Sequence, residues 1–190
     1  FDSAENVLNI EQQFEAANHE AAPAWFERVA SFDSALAKRE LGRFQLFEQQ
    51  RFSSAIINLE AAHEGNDPVA GYLLGVCHTH GLGTETSPNR GRDFLQTAAN
   101  ERGVPEAGFD LGTLRETGSF GVPNPDWAFL MFRKGAEAGH QQSMLRAAEY
   151  FEAGEVVAAD RVAAEAWRAK AQVTEPSKLT QKLQPLLNER

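Results

Sequence analysis

Residues 69–83 read VAGYLLGVCHTHGLG, and residues 106–118 follow the same pattern as EAGFDLGTLRETG. Each segment places small and apolar residues at helical spacing, contains a Leu-Gly pair, and has a glycine six residues after that pair. The pair also occurs at 41–42, and the Ala-Ala pair at 147–148 is a weaker copy. The intervals between the four markers are 33, 37 and 36 residues, which is the period of a repeat built from two helices.

Each copy is predicted to form two helices, which we call helix A and helix B. In the second copy, helix A is predicted over 69–79 and helix B over 89–102, with a glycine turn between them. The third copy predicts the same pair over 106–117 and 126–138, and strand signals are absent. A glycine inside a helix costs ~1 kcal/mol relative to alanine. The marker glycines therefore predict that helix A and helix B of one copy approach each other closely.

The composition excludes several classes of protein. The chain has 190 residues and a formal net charge of −9, so nucleic acid and anionic membranes are disfavoured as partners. Cys77 is the only cysteine, so no internal disulfide and no thiolate zinc site is expected. No apolar run reaches the roughly 20 residues that a membrane-spanning helix needs. The chain opens on Phe1, which we interpret as a trimmed or processed start.

The second and third copies share a longer motif. It consists of Ala-x-aromatic-x-Leu-Gly, a glycine six residues later and, in the third copy, an Asp that opens a helix ending Phe-Arg-Lys-x-Ala-Glu-x-Gly. This motif resembles the Sel1-like repeat, a relative of the tetratricopeptide repeat. The fourth copy lacks the Leu-Gly pair, and the first copy lacks the glycine turn and is closer to a tetratricopeptide hairpin. The residues that carry the resemblance are Ala70, Tyr72, Leu74, Gly75 and Gly81 in the second copy and Ala107, Phe109, Leu111, Gly112, Gly118, Asp126, Phe132, Arg133, Lys134, Ala136, Glu137 and Gly139 in the third.

The resemblance implies an all-α fold, a right-handed α-solenoid of stacked antiparallel helix hairpins that forms one domain over 1–190. We expect two N-terminal helices, at 4–19 and 23–30, within residues 1–33, and a capping helix over the last exposed apolar face within 173–190. The repeats between them are expected as a tetratricopeptide-like copy at 34–66 and Sel1-like copies at 67–103, 104–140 and 141–172.

The resemblance also implies a protein-binding adaptor or regulator, common in bacteria and often outside the cytoplasm, for which the periplasm is the favoured compartment. The family has no shared catalytic apparatus, so we expect no enzyme activity and no cofactor or metal. The partner is expected to be a protein or peptide, with no nucleic acid and no membrane insertion, and a monomer is favoured.

The partner-binding residues are expected on the A helices, along the concave groove of the solenoid. By resemblance to the tetratricopeptide arrangement, they lie just before the marker residue and one and four residues after it. The groove would then be basic at its first end, apolar in the middle and acidic at its far end, which would set the direction of a bound segment. The same positions also fit ordinary core between helices. They are Arg39, Arg43 and Leu46; Tyr72, Val76 and Thr79; Phe109, Thr113 and Glu116; and Leu145, Glu149 and Glu152.

Cys77, His78 and His80 form the only cluster that resembles a reactive site. A thiolate beside an imidazole is suited to nucleophilic catalysis or to metal binding. On a helix, however, these positions spread around the axis. We therefore favour packing of Cys77 as a small apolar residue, with the two histidines at the mouth of the Gly81 turn.

Two other functions remain open beside the adaptor. One is an immunity protein that neutralises a secreted bacterial effector, which a short acidic Sel1-like protein fits. The other is a scaffold associated with the envelope or with carbohydrate, for which exposed Trp25 or Trp127 would be the sign, although a core role also explains both residues.

Overall fold

The computed structural model describes residues 34–100 and 103–188, and every regular element in these ranges is an α-helix. The predicted helices at 4–19 and 23–30 lie outside the described residues. The helices are α1 (Ala35–Phe47), α2 (Phe52–Glu64), α3 (Pro68–His80), α4 (Pro88–Asn100), α5 (Pro105–Glu116), α6 (Pro125–Glu137), α7 (Gln141–Ala153), α8 (Arg161–Gln172) and α9 (Lys178–Asn188).

The first eight of these helices pack as four sequential antiparallel hairpins, α1 with α2, α3 with α4, α5 with α6, and α7 with α8. Each hairpin packs on the next, through α2 against α3, α4 against α5, and α6 against α7. The predicted all-α array of stacked hairpins is therefore confirmed. From here on, the A helices are α1, α3, α5 and α7, and the B helices are α2, α4, α6 and α8.

Local sequence explains where several helices begin. Pro68, Pro105 and Pro125 occupy the first helical turn, where a missing N–H group is harmless. The side chains of Asp67 and Asp160 accept hydrogen bonds from the amides of Ala70 and Ala163, so both carboxylates cap a helix N-terminus. These signals account for the starts of α3, α5, α6 and α8.

The marker glycines lie where an A helix meets its B helix. A Cβ added at Gly75 would lie 2.8 Å from Cγ of Leu95, and one added at Gly112 would lie 2.5 Å from Cε1 of Phe132. Both neighbours belong to the B helix of the same hairpin and are buried. The prediction that small marker residues permit close approach of the two helices is thus confirmed at these positions.

The C-terminal helix α9 differs from the other eight, because it pairs with no hairpin partner. It contacts α1, the first helix of the described array. Leu179, Leu183 and Leu186 are buried in the same hydrophobic cluster as the interior of the first hairpins. The sequence predicts a cap over the last exposed apolar face, and in the structure the apolar residues of α9 contact the core near the first described hairpin. Within the described residues, no helix is long and apolar enough to cross a membrane.

Candidate interaction surface on the A helices

Side chains link successive A helices to one another. Between α1 and α3, Arg39 Nη1 lies 3.2 Å from Asp67 Oδ2 at the N-cap of α3. Between α3 and α5, the Tyr72 hydroxyl donates to Asp110 Oδ2 over 2.8 Å. These bonds join residues 28 and 38 positions apart in the chain, so they fix the lateral register of the hairpins. We call the side of the array formed by the A helices the A-helix face.

The link between α5 and α7 is built around Glu116. The Tyr150 hydroxyl donates to Glu116 Oε1 over 2.6 Å, and the guanidinium of Arg146 pairs with the other carboxylate oxygen. Arg146 also pairs with Glu149 on its own helix and lies over the Phe132 ring, 5.1 Å from the ring centre. Because one guanidinium serves two carboxylates, this part of the face retains a negative charge.

At the first end of the face, the two predicted arginines lie together but are neutralised. Arg39 pairs with Glu40 over 2.7 Å as well as with Asp67, and Arg43 pairs with Glu40 over 3.0 Å. Glu40 is buried, so these contacts are partly shielded from water. The predicted basic end of the groove is therefore a compensated cluster, and Leu46, one turn further along α1, is fully buried.

In the middle of the array, the predicted residues are packed between helices. Tyr72 and Val76 are 3% and 2% exposed. Thr79 donates to the Gly75 carbonyl and faces α4, where a Cβ at Gly91 would collide with its hydroxyl.

The third hairpin gives a similar result. The Phe109 ring lies 5.2 Å from that of His140 and 5.9 Å from that of Phe132, between centroids. The Thr113 hydroxyl donates to the Phe109 carbonyl over 3.1 Å. Phe109 therefore fills space between neighbouring hairpins. This is the packing role that the sequence left open as the alternative to contact with a partner.

The far end of the face presents side chains to solvent. Leu145 is 41% exposed, and it is one of several large apolar side chains that reach solvent in the described residues. The side chains of Glu149 and Glu152 are each 52% exposed, and they pair with Arg146 and Arg168. Of the predicted groove residues, these three combine exposure with an apolar or acidic character.

An acidic pair, one residue buried and the other partly buried, lies between α3, α5 and the last helix. Glu106 and Asp110 are one turn apart on α5, and Glu106 is buried. Burial raises the pKa of Asp110 to about 7, and the nearby Glu106 carboxylate raises it further, whereas the hydrogen bond from Tyr72 lowers it. The folded environment thus favours the protonated form of Asp110 more than water does.

Helix α9 places its polar side chains on this same region. Ser177, just before α9, donates to Glu106 of α5. The Thr180 hydroxyl lies 3.4 Å from Nε2 of His140, the N-cap of α7. Lys182 Nζ lies 2.7 Å from Oε1 of Glu48, the residue after α1. These three polar partners, Glu106, His140 and Glu48, belong to A helices or to their caps, so α9 lies on the A-helix face.

The sequence did not predict this position of α9 against the A helices. The signal that was present is the spacing of Leu179, Leu183 and Leu186, which is that of one apolar face of a helix. The partners Glu48 and Glu106 are 134 and 71 residues from the groups that they bind. No local pattern specifies contacts at such separations.

The Cys77, His78 and His80 cluster does not assemble into a reactive site. Cys77 is fully buried, and burial raises the pKa of its thiol to about 12, so a thiolate is disfavoured. His78 is buried rather than at the mouth of the turn, and its ring stacks on Phe94 at 5.6 Å. His80 is exposed. Within the described ranges, no group of three or more metal-ligating residues is present.

Trp127 is not the exposed aromatic surface that a carbohydrate site would need. It is partly buried against the core, and the Arg115 guanidinium lies 4.7 Å from the centre of its ring. Its role in the structure is therefore a cation–π contact and packing. Trp25 lies outside the described residues.

Stacked antiparallel hairpins with cross-linked A helices define a helical-repeat scaffold protein. The model of the Sel1 repeat matches residues 68–102 and 105–140, which contain the hairpins α3–α4 and α5–α6. Residues 68–140 therefore contain two Sel1 repeats, and scaffolds built from this repeat are commonly protein-interaction modules and generally non-catalytic.

Solved structures of bacterial proteins share the fold. A Sel1 repeat protein from Oxalobacter formigenes superposes with a TM-score of 0.74 at 20% identity, over 87% of this chain and 69% of that one. A protective antigen of uropathogenic Escherichia coli that displays the SLR fold superposes with a TM-score of 0.70 at 24% identity, over 78% of this chain and 32% of that one. No curated protein matches the sequence significantly.

Proposed function

We propose that this chain is a non-enzymatic scaffold that binds a protein or peptide partner on the A-helix face and acts as an adaptor or regulator. The observation that carries the proposal is the cross-linked row of A helices. Its lateral bonds hold the exposed side chains of α7 in place before a partner arrives. A preorganised surface binds at a smaller entropic cost than one that must order on binding.

The part of the face best suited to contact is the exposed strip formed by Leu145, Glu149 and Glu152. It combines an apolar side chain with carboxylates, and Arg146 is already shared between Glu149 and Glu116. A partner segment with an apolar residue flanked by lysine or arginine complements this strip. The strip corresponds to the acidic far end of the predicted groove.

Two narrower roles fit the same surface. An immunity protein would bind one effector tightly over a large interface, and an envelope scaffold would hold a structural protein in place. The extracytoplasmic location remains a prediction that rests on the family resemblance. The identity of the captured partner separates these roles, because only the immunity protein would suppress the activity of its partner.

The test is affinity capture by the full chain from an extract of the organism that encodes it, quantified by mass spectrometry. Glu149→Lys is the test variant, and Glu137→Lys on helix α6 is the matched control. Each variant reverses one charge and removes one ion pair within a helix, with Arg146 or with Arg133, and the two glutamates are 52% and 60% exposed. Their effects on stability should therefore be similar.

We expect a partner that the wild type and Glu137→Lys retain and that Glu149→Lys loses. The loss should then be measured with the purified partner by calorimetry, where an interfacial charge reversal is expected to weaken binding at least tenfold. Equal capture by all three proteins would contradict the assignment of the A-helix face. The contacts would then have to lie elsewhere on the molecule.

A further inference from the structure

Helix α9 resembles a bound ligand more than a structural repeat. It follows the last hairpin, yet its side chains meet α1, α5 and the N-cap of α7. Its three leucines join the hydrophobic cluster that contains Leu46 of α1 and Leu111 of α5. The main contacts among the other eight described helices lie within one hairpin or between successive hairpins, whereas α9 returns across the array. We call the surface that it covers the α9 seat.

We propose that α9 is a built-in competitor for a partner helix, and that the partner is an amphipathic helix of the same pattern that displaces α9 from its seat. The proposal rests on the scaffold function described above and names the class of partner. It adds that the chain regulates its own availability through its C-terminal segment.

The polar contacts of the seat define the chemistry of this partner. Lys182 meets the carboxylate of Glu48, and the hydroxyl of Ser177 meets that of Glu106. Hydrogen bonds to carboxylates are stronger than neutral ones, so both contacts favour a basic residue and a hydroxyl at fixed positions.

The apolar contacts supply the remainder of the pattern. Leu179, Leu183 and Leu186 follow the spacing i, i+4 and i+7 of one helix face, and each is no more than 9% exposed. A partner helix therefore carries three apolar residues at this spacing, a basic residue next to the middle one and a hydroxyl two positions before the first. Recognition of a helix by such anchors in a groove is a known mode of peptide binding.

Several features make α9 displaceable. The helix has 11 residues and contains Pro185, which cannot donate to the carbonyl one turn earlier. A helix this short is not stable in water by itself, so α9 is helical only while it is docked. The ion pair between Lys182 and Glu48 is partly exposed, with side-chain exposures of 48% and 35%, so solvent weakens it. Local opening of α9 then exposes the seat without unfolding the hairpins.

The tether makes α9 an effective competitor despite these weaknesses. Only residues 173–177 separate α8 from α9, and a short linker gives an effective concentration on the order of 1 mM. A helix that binds the open seat with a Kd of about 10 µM would then bind the closed protein about 100-fold more weakly. Release of α9 should appear as a gain in affinity for a helix added in trans.

The experiment measures binding of a fluorescent peptide with the sequence of residues 173–188 to the full chain by anisotropy. Leu183→Glu removes the most buried leucine of α9 from its seat, and Lys182→Glu turns the exposed ion pair into a repulsion. Gln184→Glu is the matched control, because Gln184 is an exposed position of the same helix. Circular dichroism and light scattering on each protein establish that the hairpins are folded and report the molecular mass.

We expect the peptide to bind Leu183→Glu at least tenfold more tightly than wild type, Lys182→Glu about threefold more tightly, and Gln184→Glu equally. Adding Glu48→Lys to the Leu183→Glu protein should weaken binding of the native peptide. A peptide that carries Lys182→Glu should recover it, because the charge pair is then restored with reversed signs. This exchange of charges locates the peptide in the α9 seat.

Folded Leu183→Glu and Lys182→Glu proteins that bind the peptide no better than wild type would overturn the proposal, as would binding that ignores Glu48→Lys. A dimer in which each α9 occupies the seat of the other copy would also overturn it, since the partner would then be the chain itself. If peptide binding fails while partner capture still depends on Glu149, only the competition is wrong and the scaffold function stands. The reverse pattern, peptide binding without capture that depends on Glu149, would reject the scaffold assignment alone.

Discussion

Substitution of Gly112 by alanine tests the closest approach between an A helix and its B helix. The new Cβ would lie 2.5 Å from Cε1 and 2.6 Å from Cδ1 of Phe132. The Phe132 ring is fully buried, with Phe109 and Tyr150 near it at 5.9 Å and 6.0 Å between centroids, and Arg146 over its face. Because neighbours surround the ring, it cannot move away without disturbing the link between α5 and α7.

The expected loss of unfolding free energy for Gly112→Ala is the difference of two terms. Overpacking of a well-packed core costs about 1–3 kcal/mol, and the better helix propensity of alanine returns ~1 kcal/mol. The net loss of unfolding free energy for Gly112→Ala is then about 0–2 kcal/mol, which corresponds to a fall in Tm of at most about 8 °C for a chain of this size. Gly112→Val, with its branched side chain, should lose more, about 3 kcal/mol.

A double-mutant cycle with Phe132→Leu isolates the contact. We expect Gly112→Ala to cost at least about 1 kcal/mol less in the Phe132→Leu protein than in the wild type, because the shorter side chain leaves room for the methyl group. Urea unfolding followed by circular dichroism measures all four proteins. Equal costs in the two backgrounds, or an unchanged midpoint for Gly112→Val, would show that the packing register of α5 on α6 is wrong.

Three further predictions concern buried titratable groups. The pKa of Asp110 rises from 3.8 to about 7 on folding, so its contribution to stability is full below pH 3.8 and is lost as the pH rises towards 7. Urea unfolding at pH 5 and pH 7.5 should show a smaller loss of unfolding free energy with pH for Asp110→Asn than for the wild type. An equal loss in the two proteins would refute this. Burial lowers the pKa of His140, so its contribution is present above pH 6.5 and is lost at lower pH; His140→Asn, which retains an acceptor for the Ser143 amide, should flatten the decline of Tm in acid, and an unchanged decline would count against it. Cys77 should resist a thiol reagent at pH 8 in the folded protein and react at once in urea, because it is fully buried and burial raises its pKa to about 12; rapid labelling without denaturant would mean that α3 is not packed as described.

The hairpins were predictable because their signals are local and repeated. A Leu-Gly pair and a glycine turn recur at nearly constant intervals, and each copy needs only its own sequence to place two helices side by side. Gly75 and Gly112 lie against Leu95 and Phe132 of the same hairpin. This agrees with the expectation that close helix packing offsets the cost of a glycine inside a helix. Contacts within one repeat can be derived from the sequence of one repeat.

The positions of the side chains relative to a groove were harder to derive. Counting from the marker residue fixes which side of an A helix a residue occupies, but the orientation of one hairpin on the next decides whether that side is open. Thr79 faces Gly91 within its own hairpin, and Phe109 faces His140 of the next hairpin. The exposure of Thr79 therefore depends on packing within its hairpin and that of Phe109 on packing between hairpins, and the repeat period specifies neither.

The position of α9 could not be derived from the sequence of a single repeat. A helix face of leucines is suited equally to a terminal cap and to a ligand in a groove. Two contacts decide between these roles, Lys182 with Glu48 and Ser177 with Glu106, and both join distant parts of the chain. In a repeat array, stability normally derives from each repeat and its nearest neighbours. Helix α9 adds contacts between the C-terminal segment and both the first and the third described hairpins, so opening of either hairpin also costs the contacts of α9. Docking of α9 therefore couples hairpins that are not neighbours in the array, and a partner helix that replaces α9 would take over the same coupling.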